Sequence, residues 1–150
     1  MTGSGQEGYN QKGAMQEAME YPENLDPICL FCRWIRAEKA VKTFGTVAAF
    51  HDGNPVTDGH LLIVPLRHTA DWLSMTPQEV RDSEMLIRHL VEKIRRKDPS
   101  VTGFNIGVNI GVSAGQTVFH AHIHLIPRRD GDTENPKGGV RGVVDGKRAY

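Results

Sequence analysis

The run His120-Ala121-His122-Ile123-His124-Leu125-Ile126 places three imidazoles at i, i+2 and i+4. On a helix the middle ring would point away from the other two. On a strand all three share one face, roughly 6.6 Å apart, while Ala121, Ile123 and Leu125 face a core. A neutral imidazole, with an ordinary pKa near 6.5, is a competent nucleophile around neutral pH. Attack on phosphorus gives an N–P bond that water can then cleave. Neighbouring imidazoles can donate hydrogen bonds or a proton to phosphoryl oxygens and a leaving group. The plain alternative is a solvated polar sheet face, and alternation kept over seven positions argues against it.

A second group is Cys29-Leu30-Phe31-Cys32. A C-x-x-C pair signals zinc or redox chemistry. Redox chemistry wants a thioredoxin-like setting, which the flanking residues do not provide. Structural zinc needs four tetrahedral ligands, so two histidines would have to join. The other reading is two buried thiols and no metal.

These residues need elements to hold them. Thr46–His51 reads as a strand running into the turn cluster Asp52-Gly53-Asn54-Pro55. After Thr57-Asp58-Gly59, His60–Val64 reads as its antiparallel neighbour, ended by Pro65. Thr76-Pro77-Gln78-Glu79 is a helix start with a capping box. Val80, Ile87, Val91 and Ile94, with Leu86 and Leu90, give that helix one apolar stripe, and Asp98-Pro99 closes it. Phe104–Ile110 alternates as a half-buried strand. Gly111–Gly115 is a flexible turn, Thr117–Ile126 is a further strand, and Pro127 stops it. The chain divides into a flexible tail over 1–26, with a short helical piece near Ala14–Glu20, one domain over 27–130, and a Gly-rich tail over 131–150. In that last tail, Gly138–Val143 is a segment for contact with a partner subunit or a substrate. The expected class is α+β: an antiparallel sheet of about five strands with a long helix on one face.

Bulk properties bound the function. The chain has 150 residues, 39% of them hydrophobic, enough for one modest core. Eighteen basic and eighteen acidic residues cancel, which argues against nucleic acid or membrane partners held by bulk charge. No apolar run approaches the roughly 20 residues that span a bilayer. No signal peptide is evident, and two closely spaced cysteines fit a cytoplasmic compartment.

His-Ala-His-Ile-His-Leu-Ile resembles the signature of the histidine triad (HIT) family. The resemblance runs from about Cys29 to Arg129. Gly115-Gln116-Thr117-Val118 before the triad and Pro127-Arg128-Arg129 after it are similar to the dinucleoside polyphosphate hydrolase branch, and Gly59-His60 matches a fourth family histidine. The resemblance implies a HIT-like fold and a homodimer. It implies His122 as nucleophile, His124 at the phosphate or leaving group, and His60 beside them. Asn109, Gly115, Gln116 and Thr117 would contact the phosphate side, and Asp52 a ribose hydroxyl. Phe50 and His51, joined by Phe31 and Trp34, would line a base pocket. It also implies that His68 and His120 complete a structural zinc set with Cys29 and Cys32. The implied substrate is a nucleoside phosphate ester or anhydride, such as diadenosine tetraphosphate. The rivals are a nucleoside phosphoramidate hydrolase of the same family, a hydrolase with zinc on the triad activating water, and a nucleotide-binding module without catalysis.

Overall fold

The computed structural model describes residues 25–150, so the short helix expected near residues 14–20 and most of the N-terminal tail lie outside it. A short helix α1 (Leu30–Arg36) leads into β1 (Lys42–Phe44), β2 (Val47–His51) and β3 (Leu61–Pro65). The long helix α2 (Pro77–Lys97) follows, then β4 (Val101–Gly107) and β5 (Ile123–Arg129). The five strands form one sheet in the order β1-β2-β3-β5-β4, and all neighbours are antiparallel. The expected class and strand number therefore hold.

Period-2 alternation along the strands sends side chains to two different cores. One face carries Val47, Ala49, Leu61, Ile63, Ile123 and Leu125, covered by Leu86, Ile87 and Leu90 of α2. The other carries Ala48, Phe50, Leu62 and Val64, covered by Leu25, Phe31, Cys32 and Ile35. The triad lies on this second face, so α1 sets one wall of the site.

α2 starts as its sequence dictates. Thr76 Oγ1 accepts the Glu79 N–H and the Glu79 carboxylate accepts the Thr76 N–H. The first two turns differ from the expected stripe: Glu79, Asp82 and Ser83 are buried there and Val80 is only half-buried. The two acids are paired, which is what allows their burial. Arg67 Nη2 donates to Glu79 at 2.8 Å. Burial alone would raise the Glu79 pKa, but the Arg67 and Thr76 hydrogen bonds outweigh it and lower it. Asp82 Oδ2 accepts from both Thr46 N–H and Thr46 Oγ1, which ties α2 to the β1–β2 turn. Gly45 in that two-residue turn has φ +53, the left-handed region that suits glycine.

Several strand boundaries differ from expectation, and Pro65 lies inside β3, paired with Val47, rather than ending it. β4 spans Val101–Gly107 rather than Phe104–Ile110, because it pairs with a β5 that starts late. β5 runs through Pro127 to Arg129 instead of stopping at Ile126. Proline is tolerated because β3 pairs with β5 only over Ile123–Leu125. The side of Pro127 that lacks an N–H faces past the end of β3, where Thr57 Oγ1 donates to the Pro127 carbonyl. α1 and β1, which no sequence pattern announces, are seven and three residues long.

Candidate active site and metal centre

β5 holds only His124 of the three triad histidines. His120, at the end of a bend, and His122, in an irregular stretch, precede it, anchored where the Ala121 N–H donates to the Thr69 carbonyl. Ala121, Ile123 and Leu125 are buried, as the alternation requires. The triad is thus not one regular strand, and its rings have separate surroundings. His122 and His124 are neighbours with ring centroids 5.2 Å apart, whereas His120 is fully buried and packs edge-on against His68.

Backbone groups fix the proton positions. A carbonyl can only accept, so His122 Nδ1–H donates to the His120 carbonyl at 2.8 Å. The His122 lone pair is therefore on Nε2. His60 Nδ1 accepts the Val56 N–H, so a neutral His60 carries its proton on Nε2. That proton points to His124 Nδ1 at 2.9 Å, with Asp52 Oδ2 at 3.4 Å from the same nitrogen. His124 must then keep its own proton on Nε2. Burial lowers the His60 pKa against the opposing pull of Asp52. Burial, followed by the nearby His122 and His60, pushes the His124 pKa down to about 4. Both rings are neutral at pH 7, and the site presents one bare nitrogen beside one N–H donor.

The other expected residues take distinct places. Phe31 lies edge-on to His122 with centroids 5.0 Å apart, and Trp34 bridges Phe31 and Phe50. Phe50 is 1% exposed, so it supports Trp34 from the core and offers no open face. His51 is exposed at the end of β2. Asp52 caps its own turn by accepting the Asn54 N–H while facing His60. Asn109 is half-buried beyond β4, and Gly115 and Thr117 are exposed on the loop before the triad. The buried Gln116 amide makes three backbone bonds: it donates to the Ala70 and Val118 carbonyls and accepts the Gly111 N–H. It braces that loop, where Gly111 and Gly115 have φ +83 and +88.

Val56 belongs to the site through its backbone alone. Its N–H sets the tautomer of His60, and no side-chain motif could reveal a backbone donor.

Cys29, Cys32, His68 and His120 offer four ligand atoms, all within 4.8 Å of one another. Cys32 Sγ lies 3.2 Å from His68 Nδ1 and 3.4 Å from His120 Nδ1; Cys29 Sγ lies 3.5 Å from His120 Nδ1. The edges of a tetrahedral zinc site with sulfur and nitrogen ligands are about 3.3–3.8 Å. His120 Nε2–H donates to the Pro65 carbonyl at 2.8 Å, which leaves Nδ1 bare toward the sulfurs. The donor set fits zinc in chemistry and geometry. Without a cation, burial drives the Cys32 thiol pKa up to about 11, a cost that a bound metal reverses.

A HIT domain family model matches residues 36–131. The chain belongs to the HIT family. An uncharacterized HIT-like protein of Mycobacterium tuberculosis is 37% identical over 107 residues, covering 69% of this chain and 74% of the relative. An asymmetrical bis(5'-nucleosyl)-tetraphosphatase of Schizosaccharomyces pombe is 40% identical over 85 residues, 57% of this chain and 46% of the relative. In structure, a zinc-bound histidine triad family protein from Mycobacterium smegmatis superimposes with a TM-score of 0.66 at 31% identity, covering 72% of this chain and 80% of the other. The HIT fold is thereby established. Among the described residues no helix is long and apolar enough to cross a membrane.

Proposed function

We propose that this HIT protein hydrolyses a nucleoside phosphate anhydride, of the diadenosine tetraphosphate type, through a nucleotidyl group carried on His122. The observation that carries this reading is the Nδ1–H bond from His122 to the His120 carbonyl, because it leaves Nε2 as a free nucleophile. Nε2 attacks the α-phosphorus, and the bridging P–O bond breaks with its electron pair leaving on the departing nucleotide. His124 Nε2–H donates to a phosphoryl oxygen as charge builds there. Water then attacks the phosphorus, the N–P bond breaks with its electron pair returning to His122 Nε2, and the nucleoside monophosphate is released. In this reading Asp52 accepts from a ribose hydroxyl and the half-buried Trp34 packs on the base, while Phe31, 2% exposed, backs Trp34 and His122 from the core. The relative named as a tetraphosphatase supports an anhydride over a phosphoramidate.

Zinc on Cys29, Cys32, His68 and His120 is structural in this reading. It pins the segment carrying α1 to the start of the triad run. The rival with zinc on the triad fits the contacts poorly. His120 turns Nδ1 to the cysteine sulfurs and Nε2 to the Pro65 carbonyl, so it cannot join His122 and His124 on one ion; the donors of Asp52, His60 and His124 do lie close enough together to hold a cation.

The test is mass spectrometry of wild type and His122→Ala after brief mixing with diadenosine tetraphosphate or a nucleoside phosphoramidate. The wild type should gain one nucleotidyl mass on the peptide carrying His122, and the variant none. Turnover without any adduct, or an adduct that persists in the variant, overturns the assignment. A wild type that neither reacts nor turns over leaves a binding module as the answer.

A further inference from the structure

The C-terminal segment folds back over the site. Beyond His124, on the same sheet face, lies a cleft of about 470 Å³, within the usual range for small-molecule sites. His60 and His124 form one end of it, Asn109 part of its floor, and Val140, Val143 and Arg148 its outer wall. His122 does not line it. His124 therefore stands between His122 and the cleft, and the rings of Phe31, edge-on to His122, and of Trp34 beside it do not line the cleft. A group attached to the reacting phosphorus and not held by those aromatics runs into this cleft.

Two guanidinium groups line the cleft, and they differ. Arg128 donates from Nε and Nη2 to the two carboxylate oxygens of Asp132 and from Nη1 to Asn105 Oδ1, so its charge is paired and each of its three nitrogens is engaged. Arg148 donates from Nη1 to the Asn135 carbonyl, and among the described residues no carboxylate forms an ion pair with it. Two glycines make room for it. A Cβ at Gly142 would lie 2.7 Å from Arg148 Nη2 and 2.9 Å from Nε, and one at Gly138 would collide with the Arg148 carbonyl. Gly138 also needs its φ of +81. The segment is thus shaped around an arginine that keeps donors for an anion.

We propose that the C-terminal segment forms, in the same chain, the wall of a leaving-group subsite in which Arg148 binds the polyphosphate of the departing nucleotide. This rests on the function proposed above, and it assigns a part of the chain that lies beyond the matched HIT region.

The test compares full-length wild type, Arg148→Ala, Arg148→Lys and Gly142→Ala on two substrates. Diadenosine tetraphosphate departs as a highly charged nucleotide; adenosine 5'-phosphoramidate departs as ammonia. In Arg148→Ala the ratio of kcat/KM for the first substrate to that for the second should fall about tenfold, chiefly through KM, as expected for loss of a charge-assisted bond in an open cleft. Competition by inorganic tripolyphosphate should weaken by a similar factor. Lysine should restore part of the loss. Gly142→Ala keeps the charge but displaces the guanidinium, so it should move the ratio the same way. Equal losses on both substrates, or an unchanged ratio, overturn the subsite. A wild type that acquires no adduct on His122 and turns over neither substrate overturns the underlying function as well, and the adduct measurement tells the two failures apart.

Discussion

At the scale of the residue, two neighbouring imidazoles share one hydrogen bond, from His60 Nε2 to His124 Nδ1. His60 and His124 are both held neutral chiefly by burial, and this has a consequence for stability. Unfolded histidine takes up a proton as pH falls through about 6.5, whereas folded His124 resists until about pH 4. Between those values the unfolded chain binds more protons, so stability falls as the solution is acidified. Urea midpoints measured from pH 6.5 down to 4 should decline through that window, and His124→Gln should flatten the decline. A midpoint that stays level in the wild type would show that the ring is solvated. The sequence could locate these histidines but not their tautomers. Those depend on the Val56 amide, as those of His122 and His120 depend on the His120 and Pro65 carbonyls, and backbone groups carry no side-chain signature.

At the scale of the element, polar bonds set where α2 meets the sheet. The Asp82 carboxylate satisfies both the amide and the hydroxyl of Thr46, and these bonds lower its pKa. Asp82→Ala leaves a turn amide without its partner and should cost about 1–3 kcal/mol in urea unfolding, with the β1–β2 turn the first amides to lose exchange protection. A smaller loss with uniform protection would mean that water replaces the carboxylate. The same elements mark what a sequence discloses. The capping box of Thr76 and Glu79 names its helix directly. β2 and β3 are legible because Val47–Phe50 and Leu61–Val64 are apolar runs closed by turn formers. α1 is only seven residues long and β1 only three, too short for a period to register. Pro127 misleads for a different reason. A proline ends a strand only where its missing N–H was owed to a neighbour, and the early end of β3 is a fact of the sheet rather than of the local residues. The triad run misleads in the same way: its alternation is right, yet two of its histidines lie outside the strand.

At the scale of the whole molecule, β4 is an edge strand. A groove beside it, between α2 and the sheet, is lined by apolar side chains including Ile87, Val91, Phe104 and Val108. Ile106 is 48% exposed along this edge. Long exposed edges are normally covered or charged, and the homodimer implied by the family resemblance would cover this one. Light scattering should give the mass of two chains, and Ile106→Lys should reduce it to one. A wild-type mass of 16.6 kDa would assign the groove elsewhere.

His120 faces two ways: its ring completes the cysteine cluster, while its carbonyl holds the proton of His122. The anchorage of the α1 segment and the proton position of the proposed nucleophile thus pass through a single amino acid. Loosening the first should blur the second. In Cys32→Ser, nitrogen NMR of the His122 ring should change from one proton isomer to an exchanging pair, and reactivity toward phosphorus should drop even with nucleotide still bound. An unaltered ring spectrum would mean that the two duties are mechanically separate.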